Sequence, residues 1–443
     1  MARQTTKKQT AEATQKVHKP SWQEQTATVE EIKAFLGEHV MLRFNVVTRR
    51  VEVHMLTRGP QIVEGDDGLL RLEQPPQPPA DAPYWQPLTD RAVNSLWTEL
   101  ARRKPLTRIQ DLWRVIESDF TPDFHPFRQY LDALPRWDGQ DHILLLSLTV
   151  QVKGGSEEQL LFMKYLKKWL VGMVAGWVDE HVVNNVILVL IGQQGSYKTT
   201  WFNYLLPPEL SQYFYTKTNA SRMGRDDLLT LAQYGLVCCE ELDTMRPSEL
   251  NQLKAAVTMP SVNERAAYAR YHECRKHIAS FCGTGNNIQF LTDPTGNRRW
   301  LPFEVDFIDS PREHPFDYQN IYAQAYALYR QGFNYWFSAD EIQQLSQHNL
   351  QFEAPRLEYE LVDTYFRRPA DGEQGEFMPV SRALQIVSGN ISQKINVSAL
   401  GQAFTAQGFD FRRTKHARGY IVVQRSALEI KERSANLVVT GDG

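Results

Sequence analysis

The sequence predicts an α/β fold whose core is an open sheet. Three apolar runs predict it: one breaks at a glycine and leads to Lys198, one ends in two carboxylates, and one ends in asparagines. In open α/β sheets, residues that follow the carboxyl ends of parallel strands meet at one edge. The order of the three runs therefore predicts a single shared site.

The first run spans residues 186–191 and precedes a loop of small and polar residues and a helix-compatible stretch over 201–206. A strand, a glycine-opened loop, a Lys-Thr pair and a helix are typical of a phosphate-binding loop. Its backbone N–H groups surround a phosphate, its lysine bridges phosphate oxygens, and its hydroxyl ligates Mg2+. The predicted nucleotide-binding residues are Gly192, Gly195, Ser196, Tyr197, Lys198, Thr199 and Thr200, with Thr199 also a metal ligand.

Tyr197 stands where the phosphate-loop pattern has its second glycine. Glycine there lets the backbone approach the nucleotide without a clash from a Cβ atom, so tyrosine predicts a widened loop or a lost site. The alternative interpretation is a strand–turn–helix that carries a surface lysine. An acidic motif downstream favours the nucleotide site.

That acidic motif is LVCCEELD over residues 236–243. An apolar strand that ends in Glu240 and Glu241 supplies one carboxylate to hold Mg2+ and a second to orient an attacking water. We therefore assign Glu240 to the metal and Glu241 to the water. A strand that runs into a solvated acidic turn is the alternative for this segment alone.

The third apolar run covers residues 278–283 and leads into Thr284, Gly285 and two asparagines. Asn286 is the predicted contact for the γ-phosphate, with Asn287 as second choice. Farther on, Arg298 and Arg299 have the placement of an arginine finger that reaches a neighbouring subunit's nucleotide. A plain salt-bridging pair is the alternative for these arginines.

The motifs taken together resemble a known family. The phosphate loop, EELD, RAAY over 265–268, GTGNN and LTDPTGNRRW, in this order, resemble virulence-associated protein E-like ATPases, which are related to superfamily 3 helicases of mobile elements. RWDG over 136–139 resembles that family's lead-in, and the likeness covers roughly residues 125–305. It implies an AAA+-like P-loop core, ATP with Mg2+ as cofactors, and a homo-oligomeric, hexameric ring. Tyr197 departs from the family's glycine, which bears on nucleotide affinity and not on the fold.

Two basic segments are candidates for DNA contact. In superfamily 3 motors the interval matching residues 261–277 forms a hairpin whose basic tip grips the DNA backbone without reading bases. An ordinary charged hairpin is the alternative. Near the C-terminus, a helix with Leu400 and Phe404 on one face, capped by Ser398, precedes strands over 409–413 and 420–424, which is the winged-helix pattern. A protein-docking module is the alternative there. The candidate DNA contacts are Arg270, His272, Arg275, Lys276, Arg412, Arg413, Lys415 and Arg418.

Composition and patterning predict the remaining organisation. A helix over 29–36, a strand pair around residues 48–50, and N-caps at Thr89 and Thr107 are expected. Three lysines interrupt the apolar segment 160–178, so we expect a core helix and no membrane contact. The predicted domains are a disordered basic arm (1–20), an α+β module (21–73), a proline-rich linker (74–87), a helical collar (88–180), the P-loop core (181–335), a winged-helix-like domain (340–430) and a flexible tail (431–443).

These features predict a cytoplasmic, ATP-hydrolysing ring that moves along single-stranded or forked DNA during replication of a mobile element. The formal net charge of −3 shows no global nucleic-acid footprint, so DNA contacts must be local. We find no paired-aspartate primase signature in the first 150 residues, so a separate primase is an expected partner. The alternative function is a nucleotide-gated assembly switch, for example in phage defence. A phosphotransferase is disfavoured, because Glu241 would activate water.

Overall fold

The computed structural model describes residues 25–56, 61–64, 70–73, 84–217, 225–264, 273–291, 297–354, 357–370, 372–389, 395–414 and 417–438. They form a mixed α/β structure with several sheets and three units, each with its own apolar core. The predictions for the arm over residues 1–20, for the RAAY segment, and for Arg270, His272 and Lys415 lie outside the described residues.

The N-terminal unit packs helices against a four-stranded sheet with the order β5-β2-β1-β6, and β3 and β4 form a separate hairpin. The predicted strand pair around residues 48–50 is confirmed as β1 and β2, which pair antiparallel from Val40↔Met55 to Asn45↔Arg50. The elements are α1 (Val29–His39), β1 (Val40–Asn45), β2 (Arg50–Met55), β3 (Gln61–Glu64), β4 (Leu70–Glu73), β5 (Gln86–Pro87), α2 (Asp90–Arg103), α3 (Ile109–Ile116) and β6 (Asp123–Phe124).

The predicted helical collar over 88–180 is not one unit. Helices α2 and α3 share a core with α1, because Leu96 and Leu112 pack in one cluster with Leu36. The end of the predicted linker is also different, since β5 pairs with β2 as an edge strand, the place in a sheet where proline is tolerated.

One of the two predicted N-caps is correct. Thr89 caps α2, where its hydroxyl accepts a hydrogen bond from the N–H of Ala92. Thr107 does not cap α3, because its buried hydroxyl accepts instead from the N–H of Ala27 at 2.8 Å.

The central unit holds a six-stranded sheet with the order β7-β14-β8-β13-β10-β9. Five strands are parallel, and β7 is antiparallel to β14. Every residue of β8, β10 and β13 is buried, as expected for parallel strands covered on both faces. The elements are α4 (Pro126–Asp132), α5 (His142–Leu148), β7 (Val150–Val152), α6 (Gly155–Val178), β8 (Ile187–Ile191), α7 (Lys198–Asn203), β9 (Phe214–Lys217), α8 (Arg225–Gln233), β10 (Leu236–Cys239), α9 (Pro247–Val257), β11 (Ser261–Glu264), β12 (Glu273–Lys276), β13 (Ser280–Gly285), β14 (Trp300–Ile308), α10 (Tyr318–Arg330) and α11 (Ala339–His348).

Helix α6 fixes one face of this sheet. The predicted core helix over 160–178 is confirmed, since Phe162, Tyr165 and Trp169 are fully buried. The indole N–H of Trp169 donates to the carbonyl oxygen of Phe281 in β13 at 3.0 Å. Lys168 is tolerated inside this apolar helix because its ammonium pairs with Glu341 at 3.0 Å. In the part of the chain that the structure describes, no helix is long and apolar enough to cross a bilayer.

The C-terminal unit begins later than predicted. Leu345 and Phe352 pack in the cores of the central unit, so the boundary falls after residue 354 and not at 340. The sheet has the order β15-β18-β16, with β17 also paired to β18. The elements are α12 (Leu357–Tyr365), β15 (Phe366–Arg367), β16 (Glu376–Pro379), α13 (Val380–Ser388), α14 (Val397–Ala406), β17 (Phe411–Arg413), β18 (Arg418–Gln424) and α15 (Ala427–Val438).

Two local predictions in this unit are wrong. Helix α14 is capped by Asn396, whose side chain accepts from the N–H of Ser398, so Ser398 lies within the first turn. The tail predicted from residue 431 is helical through Val438. Ser426 and Glu429 bond to each other at the start of this helix, and Arg433 pairs with Asp363.

Candidate active site

The three predicted motifs meet at the carboxyl edge of the central sheet. Strand β8 ends at Ile191 opposite Gly285 of β13, and β10 ends at Cys239 opposite Gly283. The residues that follow these strands enclose a cavity of about 260 Å3. Its lining comprises Gln194, Gly195, Ser196, Tyr197, Lys198, Thr199, Thr200, Glu240, Glu241, Thr284, Gly285 and Asn286. Gly192 lies at the start of the loop, outside this lining, and its N–H donates to the carbonyl of Gly285.

The loop between β8 and α7 turns through two left-handed residues. Gly195 has φ +84° and Tyr197 has φ 60° and ψ 9°. A non-glycine residue in this region costs about 1–2 kcal/mol. Tyr197, which replaces the glycine of the phosphate-loop pattern, therefore adopts the backbone conformation that glycine favours. Helix α7 begins directly after it, at Lys198, three residues before the predicted helical stretch.

Lys198 is folded back on its own loop. Its ammonium donates to the carbonyls of Gly192 at 2.7 Å and Gln193 at 2.6 Å, and lies 3.2 Å from the hydroxyl of Ser196. Burial lowers the pKa of this lysine, and the nearby charge of Asp243 opposes that change. Within the described ranges, the N–H groups of residues 194–200 donate to no other group. The loop therefore carries a cation and a set of unused donors, which together suit an anion.

The acidic residues after β10 are also held in an unusual backbone. Glu241 has φ 54° and ψ 45°, and its side chain is exposed. Glu240 is half-buried, and its N–H donates to the carbonyl of Lys217 at 3.1 Å. Strained residues such as Tyr197 and Glu241 cluster at functional sites, where the surrounding structure holds them in place. Both line the same cavity.

Asp243 is a site residue that the sequence reasoning missed. Its Oδ2 accepts the N–H of Asn287 at 3.0 Å, while its buried Oδ1 has no partner among the residues described. A Cβ atom at Gly285 would lie 3.1 Å from that oxygen. Asn287 is thus held by its backbone N–H, and Asn286 lines the cavity. The sequence did contain a signal for Asp243, because it is the third carboxylate of the EELD motif.

Arg298 and Arg299 do not join this cavity. They lie in a 3-10 turn before β14, whose first residue Trp300 pairs with Ile187 at the amino end of β8. That position is four residue steps, about 13 Å, from Ile191. Among the residues that the structure describes, neither arginine has an ion-pair partner, and the salt-bridge alternative stays open.

The arginine turn is fixed from behind. The side chain of Asn349 donates to the carbonyls of Asn297 at 2.8 Å and Trp300 at 3.0 Å. Asn297 in turn donates to Glu353 at 2.6 Å. These bonds fix the backbone of the turn, on which Arg298 is exposed and Arg299 is half-buried.

The basic hairpin predicted within residues 261–277 is present as β11 and β12, which pair antiparallel. Its base is structural, however. Arg275 is buried and donates to the carbonyls of Val47 at 2.6 Å and Ala232 at 3.2 Å. Lys276 donates to the carbonyls of Gly176 and Asp179, and burial lowers its pKa to about 8. These bonds remove Arg275 and Lys276 from the candidate DNA contacts.

The predicted C-terminal hairpin is confirmed as β17 and β18, and it retains its candidates. Arg412, Arg413 and Arg418 are exposed on these two strands.

The mixed α/β architecture and the motifs at one sheet edge agree with a comparison of families. The virulence-associated protein E-like domain matches residues 131–354, just over half of the chain, and the protein belongs to this family. Among solved structures, two apo structures of the NrS-1 C-terminal region are similar, each at 11% sequence identity. Their TM-scores are 0.46 and 0.44, over 88% of this chain and 98% of theirs. A comparison with curated proteins found no match.

Proposed function

We propose that this protein is an ATP-hydrolysing, ring-forming DNA translocase or helicase that serves replication of a mobile element. The observation that carries the proposal is the cavity in which the loop before α7, the carboxylates after β10 and the tip of β13 converge. Family membership supports the same conclusion. The finer fold assignment, an AAA+-like P-loop core with a winged-helix-like C-terminal domain, belongs to this proposal.

The loop would bind the triphosphate of ATP. The unused N–H groups of residues 194–200 would donate to phosphate oxygens. Lys198 would exchange the carbonyls of Gly192 and Gln193 for the β- and γ-phosphates, which restores a charged partner to a buried ammonium. Thr199 and Glu240 would hold Mg2+, which neutralises developing charge when bound. A magnesium ion at such a site keeps several waters and uses few protein ligands, which fits these two.

Hydrolysis would use the remaining polar groups of the cavity. Glu241 would accept a proton from the attacking water and orient it. Asn286 would donate to the γ-phosphate. Asp243 would act as a positioning residue, since it holds the N–H of Asn287 beside Asn286. Arg298 or Arg299 would supply positive charge to the cavity of the next subunit.

The arrangement of strands supports this division of roles. Strand β13 lies between β8, which leads into the loop, and β10, which leads into the carboxylates. Asn286 therefore follows a strand placed between the phosphate loop and the acidic motif, where a side chain can contact both the γ-phosphate and a water.

Substitutions at Lys198 and Glu241 test the proposal directly. We expect Lys198→Ala to abolish ATP hydrolysis and Glu241→Gln to trap bound ATP, because the first removes the phosphate-binding cation and the second removes the base. Phosphate release and isothermal titration with ATP and Mg2+ measure the two effects. Lys33→Ala, on α1 in the N-terminal unit, is the control and should hydrolyse ATP as the parent chain does. Unchanged hydrolysis in both site variants would overturn the assignment.

A second candidate function is a nucleotide-gated assembly switch without unwinding activity. The strained backbone at Tyr197 favours it, since a less accommodating loop suits slow turnover. DNA-stimulated hydrolysis separates the two functions: stimulation of many-fold supports the motor, and a flat rate supports the switch. Co-purification with a separate primase would test the expected partner.

A further inference from the structure

The hairpin formed by β17 and β18 presents one face to helix α14. Phe411 pairs with Tyr420 and Arg413 pairs with Arg418, so these four side chains share that face. Arg412 lies opposite Gly419 on the other face. The sequence pattern alone groups all the arginines of this hairpin, whereas the register separates them.

Arg413 and Arg418 form a like-charge pair directly across the two strands. Such pairs are destabilising in a sheet unless an anion lies between or beside them. Both side chains are exposed, and neither forms an ion pair with a residue that the structure describes. Two other arginines near this sheet differ, since Arg367 pairs with Glu373 and Arg382 pairs with Glu376. The pair on the hairpin therefore has room for an external anion.

Phe411 lies beside this arginine pair and is 56% exposed, which is unusual for a large aromatic side chain. Its ring is 5.5 Å from that of Tyr420 at an angle of 65°. Tyr420 is itself fixed, because its ring stacks on Phe404 at 5.0 Å and its hydroxyl donates to the carbonyl of Gly401 at 2.8 Å. Phe411 is thus a preorganised aromatic surface.

A groove of about 580 Å3 runs between this hairpin face and α14. Gly401 and Ala406 leave its floor open, and Val397, which is 48% exposed, lies at one wall. Exposed hydroxyl and amide groups of Ser398 and Gln402 can bond to the edge of a planar ring. The volume is in the range of pockets that hold small molecules, and it is enough for one nucleobase.

We propose that this groove binds single-stranded nucleic acid, with one base stacked against Phe411 and the adjacent phosphate held by Arg413 and Arg418. Aromatic stacking beside cationic side chains is how proteins bind single strands without reading sequence. A base inside a duplex is already stacked and cannot enter such a groove. The proposal rests on the proposed function for its biological use, and it specifies which surface of the C-terminal unit takes the strand.

Binding of a labelled oligothymidylate to the full-length chain, without ATP, tests the groove by fluorescence anisotropy. We expect Phe411→Ala to weaken binding by about 5- to 150-fold, the range for removal of one stacked base, and Phe411→Trp to retain binding. The double variant Arg413→Ala, Arg418→Ala should lower the slope of log K against log salt by about 0.7 for each phosphate that the arginines no longer neutralise. Arg382→Ala, which removes an exposed but ion-paired arginine of the same unit, is the matched control and should leave binding unchanged.

Several outcomes would overturn the groove. They are an equal weakening in Arg382→Ala, full binding by Phe411→Ala, tighter binding to duplex than to single strand, or no binding by the parent chain. The last result would favour a protein-docking role for this unit. A chain that hydrolyses ATP but binds no oligothymidylate refutes only this site, and one that binds it but hydrolyses no ATP refutes only the proposed function.

Discussion

The two edges of the central sheet use polar groups in opposite ways. At the carboxyl edge, the N–H groups of residues 194–200 and the Oδ1 of Asp243 have no partner within the described residues, and two non-glycine residues are left-handed. At the amino edge, Arg275 and Lys276 give their protons to backbone carbonyls. The N–H groups of residues 194–200 line a cavity, so the carboxyl edge is the candidate for a ligand, whereas Arg275 and Lys276 bond to carbonyls of the chain itself and are structural.

The largest effect that sharpens this comparison is expected at Arg275. Arg275→Met keeps an aliphatic stem but leaves the carbonyls of Val47 and Ala232 without this donor, so it should lower the free energy of unfolding by about 3 kcal/mol. Urea unfolding followed by tryptophan fluorescence measures the change. Arg418→Met, on the exposed hairpin, is the matched control and should change it by less than about 0.5 kcal/mol. Equal changes in the free energy of unfolding would contradict the assignment of Arg275 as structural and Arg418 as exposed.

A smaller effect is expected from pH at the same amino edge. His125 caps α4 by accepting the N–H of Arg128 at its Nδ1, which requires a neutral ring. Burial, followed by the charges of Arg128 and Lys276, lowers the pKa of His125 from 6.5 to about 4. The unfolded chain therefore takes up a proton between these values while the folded chain does not.

Stability should accordingly fall as the pH drops from 6.5 to about 4, by on the order of 2 kcal/mol for His125. His125→Asn keeps a good N-cap acceptor without a titrating ring, so its unfolding free energy should fall less over this window. The two chains are compared by urea unfolding at several pH values. Parallel profiles would show that His125 is not held neutral.

The smallest expected effect is at the carboxyl edge. Tyr197→Gly removes the Cβ and the ring from the loop that would approach the phosphates, so we expect ATP to bind about fivefold more tightly, equivalent to about 1 kcal/mol. Tyr197→Ala removes the ring but keeps the Cβ, which separates the two contributions. Isothermal titration with ATP and Mg2+ measures both. Equal tightening in Tyr197→Ala and Tyr197→Gly would assign the limitation to the ring and not to the Cβ.

The sequence was informative where a structure depends on neighbours along the chain. The apolar runs predicted β8, β10 and β13, the family resemblance predicted the hairpin within residues 261–277, and the winged-helix pattern predicted the strands over 409–413 and 420–424. The meeting of Lys198, Glu240 and Asn286 followed from a general property of parallel sheets. Local sequence patterns did not predict that α2 and α3 pack with α1, or that Thr107 accepts a hydrogen bond from Ala27. These contacts join residues that are distant in the sequence, about eighty positions apart for Ala27 and Thr107.

The basic residues also show that local sequence patterns do not predict long-range contacts. Arg275 and Arg418 look alike in the sequence, and each lies in a predicted hairpin. Only the fold brings the carbonyl of Val47 to the first, and only the register of β17 and β18 sets Arg413 opposite the second. Partners that are distant in the sequence decide whether a cationic side chain is structural or available to bind a ligand.

The rigid turn that carries Arg298 and Arg299 has a consequence for assembly. About 13 Å of strand separates the end of β8 beside this turn from the cavity of its own chain, and neither arginine lines that cavity. If one of them serves catalysis, an isolated subunit is incomplete, and activity per chain must rise with protein concentration. In any row of subunits that fails to close, one terminal cavity stays without its arginine, so closure of the row would itself complete the last site.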